Sequence, residues 1–194
     1  MGGKFNPLYI EKYFSELSDI QKSQYDRMIE LYPEWNQKIN VVSRKDIDNI
    51  EINHLLHSLS IAKFIQFKPG SRKLDFGCGG GLPGIPLAAM FPECHFHLID
   101  RIGKKLLVAS SIAESVGLTN VSFQHGDIAE CKEMGIPVLP PDINHSCDNF
   151  TVEGDAIRFG LGAVKNVGRG LIRSMAAKRA EGGPFKSLED FLQR

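Results

Sequence analysis

The sequence predicts an α/β protein with a helical N-terminal region, a truncated doubly wound core and a small helical C-terminal segment. Apolar residues recur at helical spacing up to about residue 66, and from residue 71 short apolar runs alternate with a glycine-rich loop and helices. After Glu130 the chain becomes proline-rich and then helical again. We therefore expect three segments, 1–70, 71–130 and 131–194.

The N-terminal segment is predicted to be helical because its apolar residues share one helix face. Ile10, Tyr13, Phe14 and Leu17 follow the i, i+3, i+4, i+7 spacing. Ser18 and Gln21 form a capping-box signature, so a second helix is expected to begin there. The last helical stripe ends at Lys68-Pro69-Gly70.

The middle segment has the order strand, glycine loop, helix, strand, helix, strand. We expect strands at Lys73–Phe76, His95–Asp100 and Val121–His125, with helices at Ile85–Met90 and Lys104–Val116 between them. Gly117 is the predicted stop of the second helix. This βαβαβ order is typical of half a doubly wound parallel sheet.

The composition indicates an ordinary globular chain. The net charge of the 194 residues is zero, and no apolar run approaches the roughly 20 residues of a membrane span. The N-terminus lacks the apolar stretch of a secretory signal. The four cysteines have no metal-ligand spacing, so we expect free thiols in a reducing cytoplasm and no metal site. Because no apolar run is long enough to span a bilayer, we also expect no membrane partner.

The loop Gly77–Gly84 is the first candidate for binding chemistry. Gly77, Gly79 and Gly81 allow a sharp turn and let a ligand approach the main chain. Asp100 ends the second strand, where its carboxylate is placed to accept hydrogen bonds from a ribose diol. Loop, helix and acid together favour an adenosyl cofactor, and the alternative is a purely structural glycine turn.

A dinucleotide is the competing ligand. Gly79, Gly81 and Gly84 fit the G-x-G-x-x-G spacing of NAD-binding loops. However, Pro83 and Pro86 remove amide donors that a pyrophosphate needs. The loop therefore favours a ligand without phosphates, such as S-adenosylmethionine.

The segment Leu74-Asp75-Phe76-Gly77-Cys78-Gly79-Gly80-Gly81-Leu82-Pro83-Gly84-Ile85-Pro86-Leu87 resembles the signature of the small-subunit ribosomal RNA methyltransferase G family, also called glucose-inhibited division protein B. Trp35-Asn36, Ile39-Asn40, His54-x-x-His57-Ser58-Leu59 and Leu98-Ile99-Asp100 are similar to that family too, and the resemblance covers residues 8 to about 130. It implies S-adenosylmethionine as cofactor and methylation of a guanine N7 in small-subunit ribosomal RNA. Gly77, Leu82 and the pair Ile128-Ala129 match its cofactor-contacting positions.

After Glu130 the sequence departs from that family. The family continues with a fourth strand and a functional arginine, and neither follows Glu130 here. Without the fourth strand, the first strand is expected to form a bare edge. Because the arginine is also missing and no catalytic base is identified, we expect doubtful activity. An open alternative is that Ile136–Leu139 replaces the fourth strand as an edge strand, despite Pro137.

The C-terminal segment contains a basic stretch. Between Asp155 and Glu181 there is no acid and there are six cations: Arg158, Lys165, Arg169, Arg173, Lys178 and Arg179. Such a stretch is either an anion-binding surface or a solvated helix face. Gly168 and Gly170 are placed to offer amides to a phosphate at a helix start, beside Lys165, Arg169 and Arg173.

Residues 131–194 resemble the helix-hairpin-helix region of the bacterial DNA polymerase III alpha subunit. The matching stretches are Gly135–Asn144, Ile157–Lys165 and Gly183–Leu188. The resemblance implies sequence-independent contact with DNA phosphates and no polymerisation, because the polymerase's catalytic carboxylates lie outside this region.

Three functions follow as hypotheses. The chain is a ribosomal RNA methyltransferase-like enzyme, or a DNA-binding module whose first half is a passive scaffold, or a chimeric fusion of two partial domains without function. A continuous natural gene through residues 120–145 would count against the third.

Overall fold

The computed structural model describes residues 9–194, apart from the side chains of residues 128, 129 and 132. The chain divides into two compact units, Met1–Asp127 and Ile128–Arg194. In the described residues, no helix is both long and apolar enough to cross a bilayer.

The first unit begins with the predicted helical region. Its helices are α1 (Tyr9–Tyr13), α2 (Asp19–Asn36), α3 (His57–Leu59) and α4 (Ile61–Phe64), with a 3₁₀ turn at Ile47–Asn49 and a π-helical turn at Glu51–Leu56. The predicted capping box is confirmed. The Gln21 amide donates to Ser18 Oγ at 3.3 Å, and the Ser18 amide donates to Gln21 Oε1 at 3.0 Å.

A three-stranded parallel sheet follows, as predicted. Its strands are β1 (Arg72–Phe76), β2 (His95–Asp100) and β3 (Val121–His125), in the order β1-β2-β3. Helices α5 (Gly84–Met90) and α6 (Gly103–Ser115) make the connections. Gly117, at φ +70°, ends the second connection as expected. The carboxyl ends of the strands, where the glycine loop and Asp100 lie, therefore meet at one edge of the sheet.

One hydrophobic core joins the sheet to the N-terminal helices. Phe96 and Leu98 of β2 are buried in it together with Tyr25, Met28, Tyr32, Leu55, Leu59, Ile85 and Ile112. Residues 96 and 98 alternate along β2 with His95 and His97, which lie on the opposite face and hydrogen-bond to Ser122 at 2.8 Å.

Two buried tyrosines of α2 fix the glycine loop and the helix after it. Tyr32 Oη donates to the carbonyl of Gly80 at 3.1 Å, and Tyr25 Oη donates to the carbonyl of Pro86 at 3.1 Å. Burial raises the pKa of both phenols, so both stay neutral donors. Gly80 is required here, because a Cβ at this position would lie 2.7 Å from Val41 Cβ.

The second unit has its own small sheet and core. It contains α7 (Ile128–Glu133), β4 (Val138–Leu139), β5 (Thr151–Glu153), β6 (Ala156–Arg158), a 3₁₀ turn (Leu161–Ala163), α8 (Arg169–Gly182) and α9 (Leu188–Gln193). The sheet order is β4-β6-β5. Leu161, Ile172, Met175 and Phe185 form the core. The Arg158 guanidinium donates two 2.8 Å hydrogen bonds to Glu153 and one to the carbonyl of Pro140, so β6 is tied to β5 and to the residue that follows β4.

The structure excludes the alternative that the sequence left open for this segment. Ile136–Leu139 does not replace a fourth strand of the first sheet, because Val138 and Leu139 pair with Ile157 and Arg158 of β6. Only two residues of the segment are strand, and their partner lies in the same unit.

We expect Tyr32→Phe to lower the free energy of unfolding by roughly 1–2 kcal/mol, because the Gly80 carbonyl loses its partner in the core. Tyr9→Phe is the matched control, since the Tyr9 side chain is 54% exposed. Urea denaturation followed by circular dichroism measures both. Equal effects for the two variants would contradict a role for Tyr32 in holding the loop.

Candidate functional site

The glycine loop leaves β1 in a conformation that few other residues adopt. Gly77, Gly79 and Gly81 have φ of +76°, +57° and +91°. The amides of Gly77 and Cys78 both donate to the carbonyl of Ile99, at 2.8 and 3.1 Å. The loop is therefore anchored to the end of the neighbouring strand β2 before it turns into α5.

Asp100 holds the loop from the side. One carboxylate oxygen accepts from the Gly79 amide at 2.8 Å, and the other accepts from the Ile102 amide at 2.8 Å. The residue is 8% exposed. The structure thus brings together Asp100 and Gly79, two residues that the sequence selected separately. Each oxygen keeps a further lone pair, so Asp100 can also accept from a ligand hydroxyl.

The glycines of the loop fall into two groups. A Cβ on Gly77 or Gly79 would meet no atom within 4 Å, so these positions border open space. A Cβ on Gly81 would collide with Ile85 and lie 3.1 Å from Ala109 Cβ, and one on Gly84 would lie 2.7 Å from Asp75 Oδ2. Gly81 and Gly84 therefore serve packing, whereas Gly77 and Gly79 leave the main chain accessible.

Asp75 is a site residue that the sequence analysis did not select. Its carboxylate accepts from the Gly84 amide at 2.9 Å and so fixes the start of α5. Burial raises the pKa of Asp75 from 3.8 to about 6; the Asp100 charge also raises it, and the Gly84 hydrogen bond opposes the shift. The sequence feature that could have indicated Asp75 is its position as an acid in β1, two residues before Gly77.

The remaining predicted cofactor residues are Leu82, Ile128 and Ala129. Leu82 is half-buried, packs against the core and precedes a cis peptide bond to Pro83. Ile128 and Ala129 begin helix α7, but their side chains lie outside the described residues. Beside the loop, Asp75, Pro83 and Gly84 line a cavity of about 230 Å³ along β1, together with Phe67 and Leu87.

In the second unit, the predicted anion site lies at the start of α8. Gly168 is the residue before the helix and has no side chain with which to cap the first amides. A Cβ on Gly168 or Gly170 would meet no atom within 4 Å. Lys165, Arg169 and Arg173 are exposed near this end. The helix start thus offers free amides, open space and positive charge, the combination that binds phosphate.

The six cations of the basic stretch differ in whether they have partners within the second unit. Arg158 is buried against Glu153, and Arg179 Nη1 donates to the carbonyls of Ile143 and Ser146, so these two are structural. Lys178 lies 3.6 Å from Glu181. Arg169 Nε is 3.7 Å from Asp148 Oδ2, an acid outside the stretch that the charge pattern did not reveal.

A parallel β-sheet with a glycine loop at its carboxyl edge and an acid at the end of the next strand is the arrangement of a doubly wound α/β protein. More closely, residues 21–138 match the model of the rRNA small subunit methyltransferase G family, and the chain belongs to that family. Residues 135–194 match a helix-hairpin-helix motif. Both resemblances seen in the sequence, to this family and to a helix-hairpin-helix, are confirmed.

Two curated relatives have the same description. The ribosomal RNA small subunit methyltransferase G of Parabacteroides distasonis is 57% identical over 116 residues, which are 60% of this chain and 50% of that protein. The one from Bacteroides thetaiotaomicron is 54% identical over 125 residues, 64% of this chain and 61% of that protein. The chain thus spans about half to three fifths of the length of these relatives.

One solved structure that the fold resembles is precorrin-6y C5,15-methyltransferase from Geobacter metallireducens. The TM-score is 0.37 and the sequence identity is 12%, over 53% of this chain and 51% of that chain.

We expect Asp75→Asn to stabilise the protein at pH 8 and not at pH 4. The folded pKa of about 6 is above the ordinary 3.8, so the folded state binds more protons in this window and the free energy of unfolding falls as pH rises through it. The shift corresponds to at most roughly 3 kcal/mol. The Asn amide oxygen still accepts from Gly84.

Urea denaturation from pH 4 to pH 8 measures this effect. Asp48→Asn, which removes an exposed carboxylate, is the control and should show no such trend. An Asp75→Asn variant that is destabilised equally at every pH would contradict the assignment.

Proposed function

We propose that the first unit binds S-adenosylmethionine at the loop Gly77–Gly84 and is the cofactor-binding part of a small-subunit ribosomal RNA methyltransferase. The observation that carries this proposal is the pair Asp100–Gly79, in which the acid of β2 fixes a loop whose glycines border open space. Membership of the methyltransferase G family supports the same reading.

The charges at the loop fit this cofactor. Burial raises the pKa of Asp75, and the nearby Asp100 charge raises it further. A cation beside them relieves that repulsion, whereas an anion increases it. S-adenosylmethionine carries a sulfonium and an ammonium group, whereas NAD carries a pyrophosphate. The electrostatics therefore support the adenosyl cofactor and oppose a dinucleotide, in agreement with the two prolines of the loop.

In this proposal each residue has a simple role. Asp100 accepts from the ribose hydroxyls, Gly77 and Gly79 let the ligand reach the main chain, and Gly81 keeps the loop packed on α6. Leu82, Ile128 and Ala129 are carried over from the family as further contacts. The bound cofactor supplies an electrophilic methyl group, and the protein's contribution to transfer onto a guanine N7 is positioning rather than acid–base chemistry.

Gly79→Ala tests the site directly. A methyl group there would enter the open space beside the loop and would strain the backbone at φ +57° by roughly 1–2 kcal/mol. Gly117→Ala is a matched control, since Gly117 has φ +70° and equal free space but lies after α6, away from the loop. We expect similar losses of stability and at least about tenfold weaker cofactor binding for Gly79→Ala alone.

Isothermal titration of the full chain with S-adenosylmethionine, and with NAD for comparison, measures this. Binding of NAD alone, or no binding by a folded protein, would refute the proposal. If the full chain binds S-adenosylmethionine, its methylation of small-subunit ribosomal RNA is assayed next.

The second unit supports a second candidate function, sequence-independent binding of nucleic acid. The uncapped start of α8 is the observation that favours it. In this proposal the amides after Gly168 and the side chains of Lys165, Arg169 and Arg173 contact backbone phosphates. The resemblance to the polymerase alpha subunit makes duplex DNA the first partner to test, and ribosomal RNA the second. The match to the helix-hairpin-helix motif supports this reading.

We expect Arg169→Glu to weaken binding to duplex DNA by roughly tenfold at low salt and to reduce the salt dependence. Lys178→Glu makes the same charge change on the same helix, nine residues or roughly 13 Å away, and should have a much smaller effect. Fluorescence anisotropy over a range of salt concentrations measures both. Binding that does not respond to salt would exclude this site.

The two family matches overlap at residues 135–138, which supports a fusion of two sequence families as the origin of the chain. Sequencing of transcripts through residues 120–145 tests whether the join is natural.

A further inference from the structure

Three cations and a histidine lie together where β2 leads into α6. Arg101, Lys104 and Lys105 fall within five residues, and His125 ends the neighbouring strand β3. We call these four residues the α6 cluster. His125 Nε2 donates to the carbonyl of Arg101 at 3.0 Å, and Cδ2 of the same ring would lie 3.6 Å from a Cβ on Gly103. The two segments that carry the cluster are therefore in contact.

The charges of the α6 cluster are accessible. Arg101, Lys104 and His125 are exposed, and Lys105 is half-buried. In the part of the chain that the structure describes, none of the three cations forms an ion pair. The acid of α6 is Glu114, ten residues or roughly 15 Å from Lys104. The cluster therefore keeps its positive charge available to a partner.

The α6 cluster lies beside the glycine loop. Asp100 immediately precedes it, and the carboxylate of this residue accepts from the amides of Gly79 and Ile102. In the ladder between β2 and β3, Asp100 also lies opposite His125. A single buried carboxylate, with both oxygens hydrogen-bonded, thus joins the cluster to the loop at the carboxyl edge of the sheet.

We propose that the α6 cluster binds backbone phosphates of the RNA substrate next to the loop Gly77–Gly84. This inference rests on the proposed function of the first unit. The guanine N7 must reach the methyl group of the bound cofactor, so the phosphates that flank this guanine pass close to the carboxyl edge of the sheet. Phosphate contacts fix the position of a nucleic acid without reading its sequence, and positioning is what this transfer needs.

The α6 cluster suits a polynucleotide better than a single phosphate group. Exposed cations bind one small anion weakly, because water and salt screen each charge. Along a backbone, each cation that neutralises a phosphate releases condensed counterions, and the gains add up. Gly103 lies between Arg101 and Lys104, and a Cβ there would meet only the His125 ring within 4 Å. A strand can therefore approach the main chain between the cations.

Binding of a labelled transcript of small-subunit ribosomal RNA by the full chain, measured over a range of salt concentrations, tests the proposal. We expect Lys104→Gln combined with Lys105→Gln to weaken binding roughly tenfold at low salt and to lower the slope of log K against log salt by roughly 1.4–1.8, or 0.7–0.9 for each lysine. Lys68→Glu is the control and should have little effect. It changes the net charge equally at an exposed position four residues before β1, at the opposite edge of the sheet.

The same comparison in chains that also carry Arg169→Glu separates this surface from the candidate site of the second unit. We expect the effect of the two lysines to persist there. An effect that disappears in this background overturns the proposal, because the contact then belongs to the second unit. So does a wild-type chain that binds no RNA, or a double variant that binds RNA as the Lys68→Glu chain does.

Isothermal titration with S-adenosylmethionine distinguishes failure of this proposal from failure of the cofactor site. The double variant, shown to be folded by circular dichroism, should bind the cofactor no more weakly than the wild type. Weaker cofactor binding contradicts the proposal, since the lysines then act through the loop. RNA binding that depends on the two lysines in a chain that binds no cofactor supports the RNA surface and refutes only the cofactor site.

Discussion

The two hydrogen bonds accepted by the Asp100 carboxylate are the interaction on which the first unit's site depends. They join the Gly79 amide of the loop and the Ile102 amide that leads into α6 to a single side chain at the end of β2. The clamp acts on a loop whose three glycines at positive φ would otherwise have wide conformational freedom. Tyr32 supports the same loop from α2, through the Gly80 carbonyl. The site is therefore fixed by two distant parts of the sequence.

The carboxylates at this loop are kept at an energetic cost. Burial raises the pKa of Asp75 to about 6 and the Asp100 charge adds to the shift, so at neutral pH the folded protein carries a repulsion that an amide at position 75 would avoid. Residues that lower stability in this way are common at functional sites, where a ligand offsets the strain. In the proposed function, the positive charge of bound S-adenosylmethionine would reduce this repulsion.

Local patterns in the sequence predicted most of the fold. The Ser18 capping box, the strand His95–Asp100 and the stop at Gly117 all depend on residues close together along the chain, and all three are confirmed. The pairing of Val138–Leu139 with β6 depends on residues some 20 positions away, and its short apolar run gives no indication of the partner. Likewise, the Asp75–Gly84 bond and the pairing of Arg169 with Asp148 need three-dimensional proximity, which the spacing of charges did not reveal.

The order of strands in the larger sheet, β1-β2-β3, is also their order along the chain, and the whole unit is one continuous stretch. During synthesis each strand can add to its predecessor as it leaves the ribosome, without waiting for a segment made later. The small sheet behaves differently, because β4 must remain unpaired until β6 has emerged and can insert between it and β5. Nascent chains paused before residue 156 would thus carry a finished first unit and an unfinished second one.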